Sequence, residues 1–175
     1  MKHFKFLTWI LLLFLITACA ESPPPPSGQD IAKHQENLIR ANKYLVANDA
    51  DRIKAFAKRR NWEMKVSETG LWSMIYEQGK GQQAKTGKTA IMNYKVWLLD
   101  GTLCYSSDSL GPKKFRIGKG GVESGLEEGI LLLHQGDKAR FILPPHLAFG
   151  IQGDNAKIPR RSTIVYELEL INITD

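Results

Sequence analysis

The chain has 175 residues, 43% of them apolar and 24% charged, with a formal net charge of +6. A chain of this size can bury a core without covalent staples, and with Cys19 and Cys104 as its 2 cysteines a disulfide scaffold is excluded. There is no HExxH, Cys-x-x-Cys, GxSxG or phosphate-cradling loop, and His3, His34, His134 and His146 show no ligand spacing, so neither a metal nor another cofactor is expected.

In chain order, Lys2 and Lys5 give a basic start and Phe6 to Ile16 is apolar except for Thr8. Ile16-Thr17-Ala18-Cys19 then places small residues before a cysteine. This is the pattern of a secretory signal, and its end resembles the bacterial lipobox. The apolar run is shorter than the ~20 residues that span a bilayer. Residues 1–18 are therefore expected to be a cleaved signal peptide and Cys19 the acylated start of the mature protein. Loss of Lys2 and Lys5 takes the net charge to about +4. Each buried acyl CH₂ contributes ~0.8 kcal/mol, so several chains on one cysteine hold firmly to a bilayer. No acidic run follows in AESPPPPSG, which favours an outer-membrane anchor facing the periplasm.

Residues 19–30 form a tether, in which Pro23 to Pro26 make a stiff stretch rising ~3.1 Å per residue. From residue 31 to 65 the pattern is helical: Ile31, Leu38, Tyr44, Leu45, Ile53, Phe56, Ala57 and Trp62 recur among polar residues. Asn48-Asp49 predicts a break and a cap, hence two helices in this arm. The arm is expected to pack against its own domain; pairing with a second copy is what a resemblance to exported lipoproteins with helical arms implies. Arg52, Lys54, Lys58, Arg59, Arg60 and Lys65 cluster here. They read as a solvated helix face, or as a contact for anionic lipid or an acidic partner. An exported destination argues against nucleic acid.

Residues 66–175 alternate between strand patterns and one helix. Leu71 to Tyr76, Ala90 to Leu98, Phe115 with Ile117, Lys138 to Leu143 and Ile164 to Leu170 read as strands, with Asp100-Gly101 as a hairpin turn. Val122, Leu126, Gly129, Ile130 and Leu133 recur at helical spacing, and Gly136 stops the run. Runs of strands around one helix indicate an α+β domain, an antiparallel sheet wrapped around a short helix.

Three blocks, NYKVWLLDGTLCYSSD (Asn93 to Asp108), LEEGILLLHQGDKARFILPPHLAFG (Leu126 to Gly150) and STIVYELELINI (Ser162 to Ile173), occur in this order. Over roughly Val66 to Thr174 the chain resembles the FKBP-type peptidyl-prolyl cis-trans isomerases, which also bind macrolide immunosuppressants. The resemblance implies an FKBP-like fold and catalysis of rotation about X-Pro bonds, whose barrier is ~18–20 kcal/mol. An apolar pocket disfavours the charge-separated planar amide relative to the twisted one, so no nucleophile or metal is required.

Carried over from the family, Tyr94 lines the side of the pocket and Val122 offers a backbone amide to a substrate carbonyl. Ile158 offers an amide to the twisting carbonyl, and Tyr166 stands for a deep phenylalanine. Phe149 replaces a tyrosine and loses its hydroxyl donor, while Leu126 replaces a tryptophan floor. Cys104 and Tyr105 stand where a phenylalanine and an aspartate are usual, and Lys113 and Glu123 fall at apolar positions. Tyr105 either supplies a donor or plugs the site. Cys104 is either a redox-sensitive thiol or a small buried hydrophobe.

Two functions follow from the resemblance: an enzyme acting on proline-containing exported polypeptides, or a chaperone-like binding module that keeps the fold with weak catalysis. The lipobox, tether, basic arm and divergent domain together resemble the gliding-motility-associated isomerase lipoproteins of gliding bacteria. That narrower resemblance implies clients in the motility and secretion apparatus.

Overall fold

The computed structural model describes residues 27–175; the expected signal peptide, Cys19 and the prolines of the tether lie outside the described residues. Helix α1 spans Gly28–Arg59. Ser27 starts it reciprocally: its hydroxyl accepts from the Asp30 N–H at 3.2 Å, and the Asp30 carboxylate accepts from the Ser27 N–H at 3.2 Å. The break expected at Asn48-Asp49 does not occur. Asp49 does not cap a second helix; its carboxylate, 6% exposed, accepts from the Arg161 guanidinium at 2.6 Å. A charge-assisted pair across the fold has taken the group that sequence assigns to a cap. Among the described residues no helix is long and apolar enough to cross a membrane.

The chain divides into two compact units between Arg40 and Ala41. The first, described from Ser27, is the opening of α1, with Ile31, Leu38 and Ile39 exposed and Glu36 paired with Arg40 at 2.9 Å. The second, Ala41–Asp175, holds the remainder of α1 and every strand. It starts upstream of the boundary expected at residue 66 because Ile53 and Phe56 are buried against the sheet.

Seven strands build that sheet: β1 (Lys65–Val66), β2 (Trp72–Glu77), β3 (Thr89–Leu98), β4 (Leu103–Ser106), β5 (Lys113–Arg116), β6 (Lys138–Leu143) and β7 (Ile164–Thr174). The spatial order is β1-β2-β6-β7-β3, all antiparallel, and the far edge of β3 is shared. Thr89 to Met92 pair with β5, and Lys95 to Trp97 pair with β4. Three short helical pieces complete the fold: α2 (Ser107–Leu110), α3 (Ser124–Ile130) and a 3₁₀ turn at Pro145–Leu147. The antiparallel sheet against one short central helix is the architecture expected from the strand pattern, although α3 ends at Ile130, before Gly136. Asp137, 2% exposed, fixes the turns that follow by accepting from the His134 N–H at 2.7 Å and the Gly79 N–H at 2.6 Å.

Alternation sorts the side chains into two layers. Ala90, Met92, Tyr94 and Val96 of β3, Ala139, Phe141 and Leu143 of β6, and Ile164, Tyr166, Leu168 and Leu170 of β7 enclose Leu126 and Ile130 of α3. The opposite face is apolar only beneath α1, where Ile53 and Phe56 cover Ile142 and Val165, with Trp62, Trp72 and Trp97 around them. Beyond that patch it is charged, with Arg140 paired to Glu167 at 2.8 Å and Lys138 to Glu77 at 2.9 Å.

Helix α3 lies close to the sheet because it presents glycine there. A Cβ on Gly129 would stand 2.6 Å from the Phe141 ring, and one on Gly125 would stand 2.6 Å from Leu143 Cγ. The substitution Gly129→Ala gains helix propensity of ~1 kcal/mol, but it must displace a fully buried ring, and such overpacking costs about 1–3 kcal/mol. The net expectation is a lowered melting temperature for Gly129→Ala by calorimetry; an unchanged or raised value would show that the helix has room to lift.

Candidate active site

Eight of the residues carried over from the family lie in or against the core that holds α3, and Lys113 and Glu123 join it through Tyr166. Tyr94 and Tyr166 enter from adjacent strands with ring centroids 6.2 Å apart. Leu126 and Tyr166 are fully buried, Ile158 nearly so, and Val122, Tyr105 and Phe149 are partly buried against the same core. The chain thus brings all ten candidate positions to one region. Cys104, Lys113 and Glu123 are there too, but in roles that only the fold reveals.

Lys113 and Glu123 do not simply perforate an apolar wall. The Lys113 ammonium donates to the Tyr166 hydroxyl oxygen at 3.0 Å, and that hydroxyl donates to Glu123 Oε1 at 3.0 Å. Lys113 Nζ lies 3.8 Å from Glu123 Oε2, and 5.1 Å and 5.4 Å from the Tyr94 and Tyr166 ring centroids. The result is a closed charged triad against two aromatic rings, an arrangement that gains from cation–π attraction as well as from the ion pair. Glu123 Oε2 is buried and, among the described residues, accepts no hydrogen bond. Burial, with the Glu123 charge second, pushes the Tyr166 phenol well above its ordinary value, so it stays a donor to the carboxylate. Burial also lowers the Lys113 ammonium below the usual lysine range, with Glu123 opposing.

Tyr105 is turned to another purpose. Its hydroxyl donates to Asp154 Oδ2, and Asp154 Oδ1 accepts from the Ile158 N–H at 2.8 Å and the Ala156 N–H at 2.9 Å. Burial alone would raise the Asp154 carboxyl; the Tyr105 hydroxyl and the two amides bring it below the ordinary aspartate value. This corrects one carried-over role. The Ile158 amide, expected to reach a twisting carbonyl, already has an acceptor, because Asp154 folds the loop from 151 to 161 around itself. Asp154 was not legible as a site residue; its signal is an Asx turn, a carboxylate two residues before the amide that it binds. Tyr105 therefore acts as neither a free donor nor a loose plug, but as a latch between β4 and that loop.

Cys104 is 2% exposed, and its Sγ lies 3.5 Å from the Lys157 carbonyl oxygen. Burial pushes its thiol up, away from the reactive thiolate, which fits the small buried hydrophobe among the two readings. Val122 is partly buried against the core. Among the described residues no protein group accepts from its N–H, nor from that of Glu123 beside it. Two adjacent amides therefore stand without a protein acceptor, among the described residues, directly before the first turn of α3. Glu123's amide is a second donor that sequence reading did not single out. The site holds an aromatic pair, a fixed cation and two unclaimed amides, a set suited to binding a peptide carbonyl beside an apolar ring.

Comparison with known proteins agrees with that chemistry. The family model for FKBP-type peptidyl-prolyl cis-trans isomerase matches residues 80–171, a stretch that contains every candidate position above. FKBP-type peptidyl-prolyl cis-trans isomerase FkpA of Escherichia coli (strain K12) is 38% identical over 119 residues, 67% of this chain and 42% of the relative. The chain thus spans less than half the length of that curated relative. FK506-binding protein 2 of Yarrowia lipolytica is 37% identical over 107 residues, 61% of this chain and 74% of the relative. Among solved structures, the crystal structure of FkpA from Escherichia coli has a TM-score of 0.61 at 30% identity, covering 95% of this chain and 82% of that one. The crystal structure of AtFKBP13 has a TM-score of 0.60 at 31% identity, covering 63% of this chain and 98% of that one. By family match, sequence identity and fold, the chain belongs to the FKBP-type peptidyl-prolyl cis-trans isomerase family.

Proposed function

We propose that this protein is a membrane-anchored peptidyl-prolyl cis-trans isomerase that assists the folding of exported proteins. The observation that carries the catalytic part is the pairing of the Tyr94–Tyr166 aromatic wall with the unclaimed Val122 and Glu123 amides. A peptide whose carbonyl bonds those amides sets its proline against the rings, out of water, where the planar amide loses the solvation that favours it. X-Pro bonds isomerise in tens to hundreds of seconds unaided, slow enough to limit the folding of an exported client.

The lipobox-like Cys19 and the tether support anchoring to a bilayer, with the domain on the periplasmic side of an outer membrane. The whole arrangement supports clients in the gliding-motility and secretion apparatus, and mass spectrometry of the mature N-terminus tests the anchor. Exposed Ile31, Leu38 and Leu45 recur every seven residues on α1, which supports pairing of the arm with a second copy. Sedimentation of an Ile31→Glu, Leu38→Glu variant against the unmodified chain checks that; equal sedimentation as monomers ends it. A second reading, a binding module with little catalysis, is favoured by the ion pair in the pocket and the complete burial of Tyr166.

NMR exchange on proline peptides separates the two. The full chain is expected to speed cis-trans exchange, and Tyr94→Ala to slow it while the amide spectrum stays folded. No exchange enhancement by the folded wild type selects the binding module. Macrolide ligands are expected to bind weakly, since Phe149 offers no hydroxyl and the pocket carries a charged pair that an apolar ring must desolvate. Nanomolar affinity by titration calorimetry would contradict that.

A further inference from the structure

A prolyl amide in its planar form has no usable lone pair on nitrogen, because resonance has spread it onto the carbonyl. As the bond twists the lone pair localises, and the nitrogen becomes a hydrogen-bond acceptor. A donor placed there binds the transition state and not the ground state, which is the condition for acceleration. A cation at the carbonyl oxygen does the reverse, because it favours the polarised planar form. The useful question is therefore which donor the pocket keeps for the nitrogen.

Most of the side-chain donors are already committed. Phe149 has none, the Tyr105 hydroxyl is held by Asp154, and the Tyr166 hydroxyl is held by Glu123 Oε1 at 3.0 Å. Among the backbone donors, Ile158 is held by Asp154 Oδ1 at 2.8 Å, and the Val122 and Glu123 amides serve a carbonyl. Lys113 remains. Its ammonium has three N–H groups, of which one goes to the Tyr166 oxygen at 3.0 Å. The nearest carboxylate oxygen is at 3.8 Å, close enough for attraction but beyond a hydrogen bond. The Lys113 side chain is 25% exposed whereas that of Glu123 is 6% exposed, so of the pair the lysine is the more accessible from outside. It also sits 5.1 Å and 5.4 Å from the centroids of the two rings against which a proline would lie.

We propose that Lys113 is a catalytic residue of this isomerase site, donating a hydrogen bond to the prolyl nitrogen of the bound peptide as the amide twists. Glu123 and Tyr166 are positioning residues: the carboxylate holds the cation inside the pocket, and the hydroxyl fixes the direction of its remaining N–H groups. No proton is transferred and no covalent bond forms. The inference rests on the isomerase reading above and names the group that replaces the donor lost at Phe149. An ion pair in this place costs stability relative to an apolar pair of the same volume, a cost that a merely structural role does not offset.

A pH signature follows. The groups facing Lys113 are Glu123 before α3, Tyr166 on β7 and Tyr94 on β3. Burial, with Glu123 second, holds both tyrosines above their ordinary range. Burial lowers the Lys113 ammonium, with Glu123 opposing, so it loses its proton at a lower pH than an ordinary lysine. Loss of its proton removes the charge on the donor, so the rate should fall at a pH below that of an ordinary lysine.

The experiment is NMR exchange on a proline peptide with the full chain, its Lys113→Met and Lys113→Arg variants, and a pH series. Lys113→Met should lose ~10-fold or more in kcat/KM, the scale of one charge-assisted hydrogen bond, while peptide affinity by chemical-shift titration is unchanged. Lys113→Arg should recover part of the rate and remove the high-pH fall. A Lys113→Met variant as fast as the wild type, or faster, overturns the proposal and marks the ammonium as an obstruction. Should Lys113→Met fail to fold, Glu123→Gln carries the test. It loosens the cation and should slow exchange and move the fall to lower pH; an unchanged rate and profile overturn the proposal. A folded wild type without catalysis removes the isomerase reading and this inference with it, whereas an active wild type with an equally active Lys113→Met removes only this one.

Discussion

The site depends on how near α3 stands to the sheet. Gly125 and Gly129 let the helix backbone reach the side chains of Leu143 and Phe141 without an intervening Cβ, and that approach fixes the height of the first turn above β6. Val122 and Glu123 immediately precede that turn. Their amides, and the carboxylate that reaches the Tyr166 hydroxyl at 3.0 Å, are therefore placed by two missing methyl groups. A helix held further out would draw Glu123 away from Tyr166 and weaken its attraction for Lys113. The packing of an apolar layer and the geometry of a polar triad are in this sense one constraint.

Replacing an apolar pocket wall with Lys113 and Glu123 changes what the pocket can hold. Two charges withdrawn from water require close compensation. Here it comes from each other, from a phenol that both donates and accepts, and from the faces of two rings. The second polar group, Tyr105 with Asp154, works separately: it ties β4 to the loop from 151 to 161 and engages the Ile158 amide. One cluster shapes the floor and the other shapes the overhang. Their side chains come from positions as far apart in sequence as Lys113 and Tyr166, or Tyr105 and Asp154.

That separation explains what could be read from the sequence. Strands β3, β6 and β7 were legible because burial alternates along part of each, a signal carried by the strand itself, whereas β2 buries none of its six residues and shows only an alternation of residue type. Helix α3 was legible from Leu126, Gly129 and Ile130. Strand β1, with 2 residues, and β4, with 4, are too short to carry a period. The continuity of α1 was hidden because Asp49 looks like a cap when read locally, and its partner Arg161 is 112 residues away. What Lys113, Glu123, Tyr105 and Ile158 do depends on partners on other elements, which a family pattern does not carry. Asp154 had no family role to transfer, so only its contacts mark it.

The apolar patch beneath α1 bears on where this domain can be cut. The segment matched by the family, residues 80–171, includes Trp97, Ile142 and Val165 but excludes Ile53 and Phe56, which shield two of them. Excised at the family boundary, the polypeptide would carry a bare strip of tryptophan, isoleucine and valine on what should be the wetted side of its sheet. Such a fragment invites self-association through that strip. The portion of the chain that covers both faces of the sheet is therefore longer than the portion that carries the family's signature, and the last turns of the helix are as much a part of it as any strand.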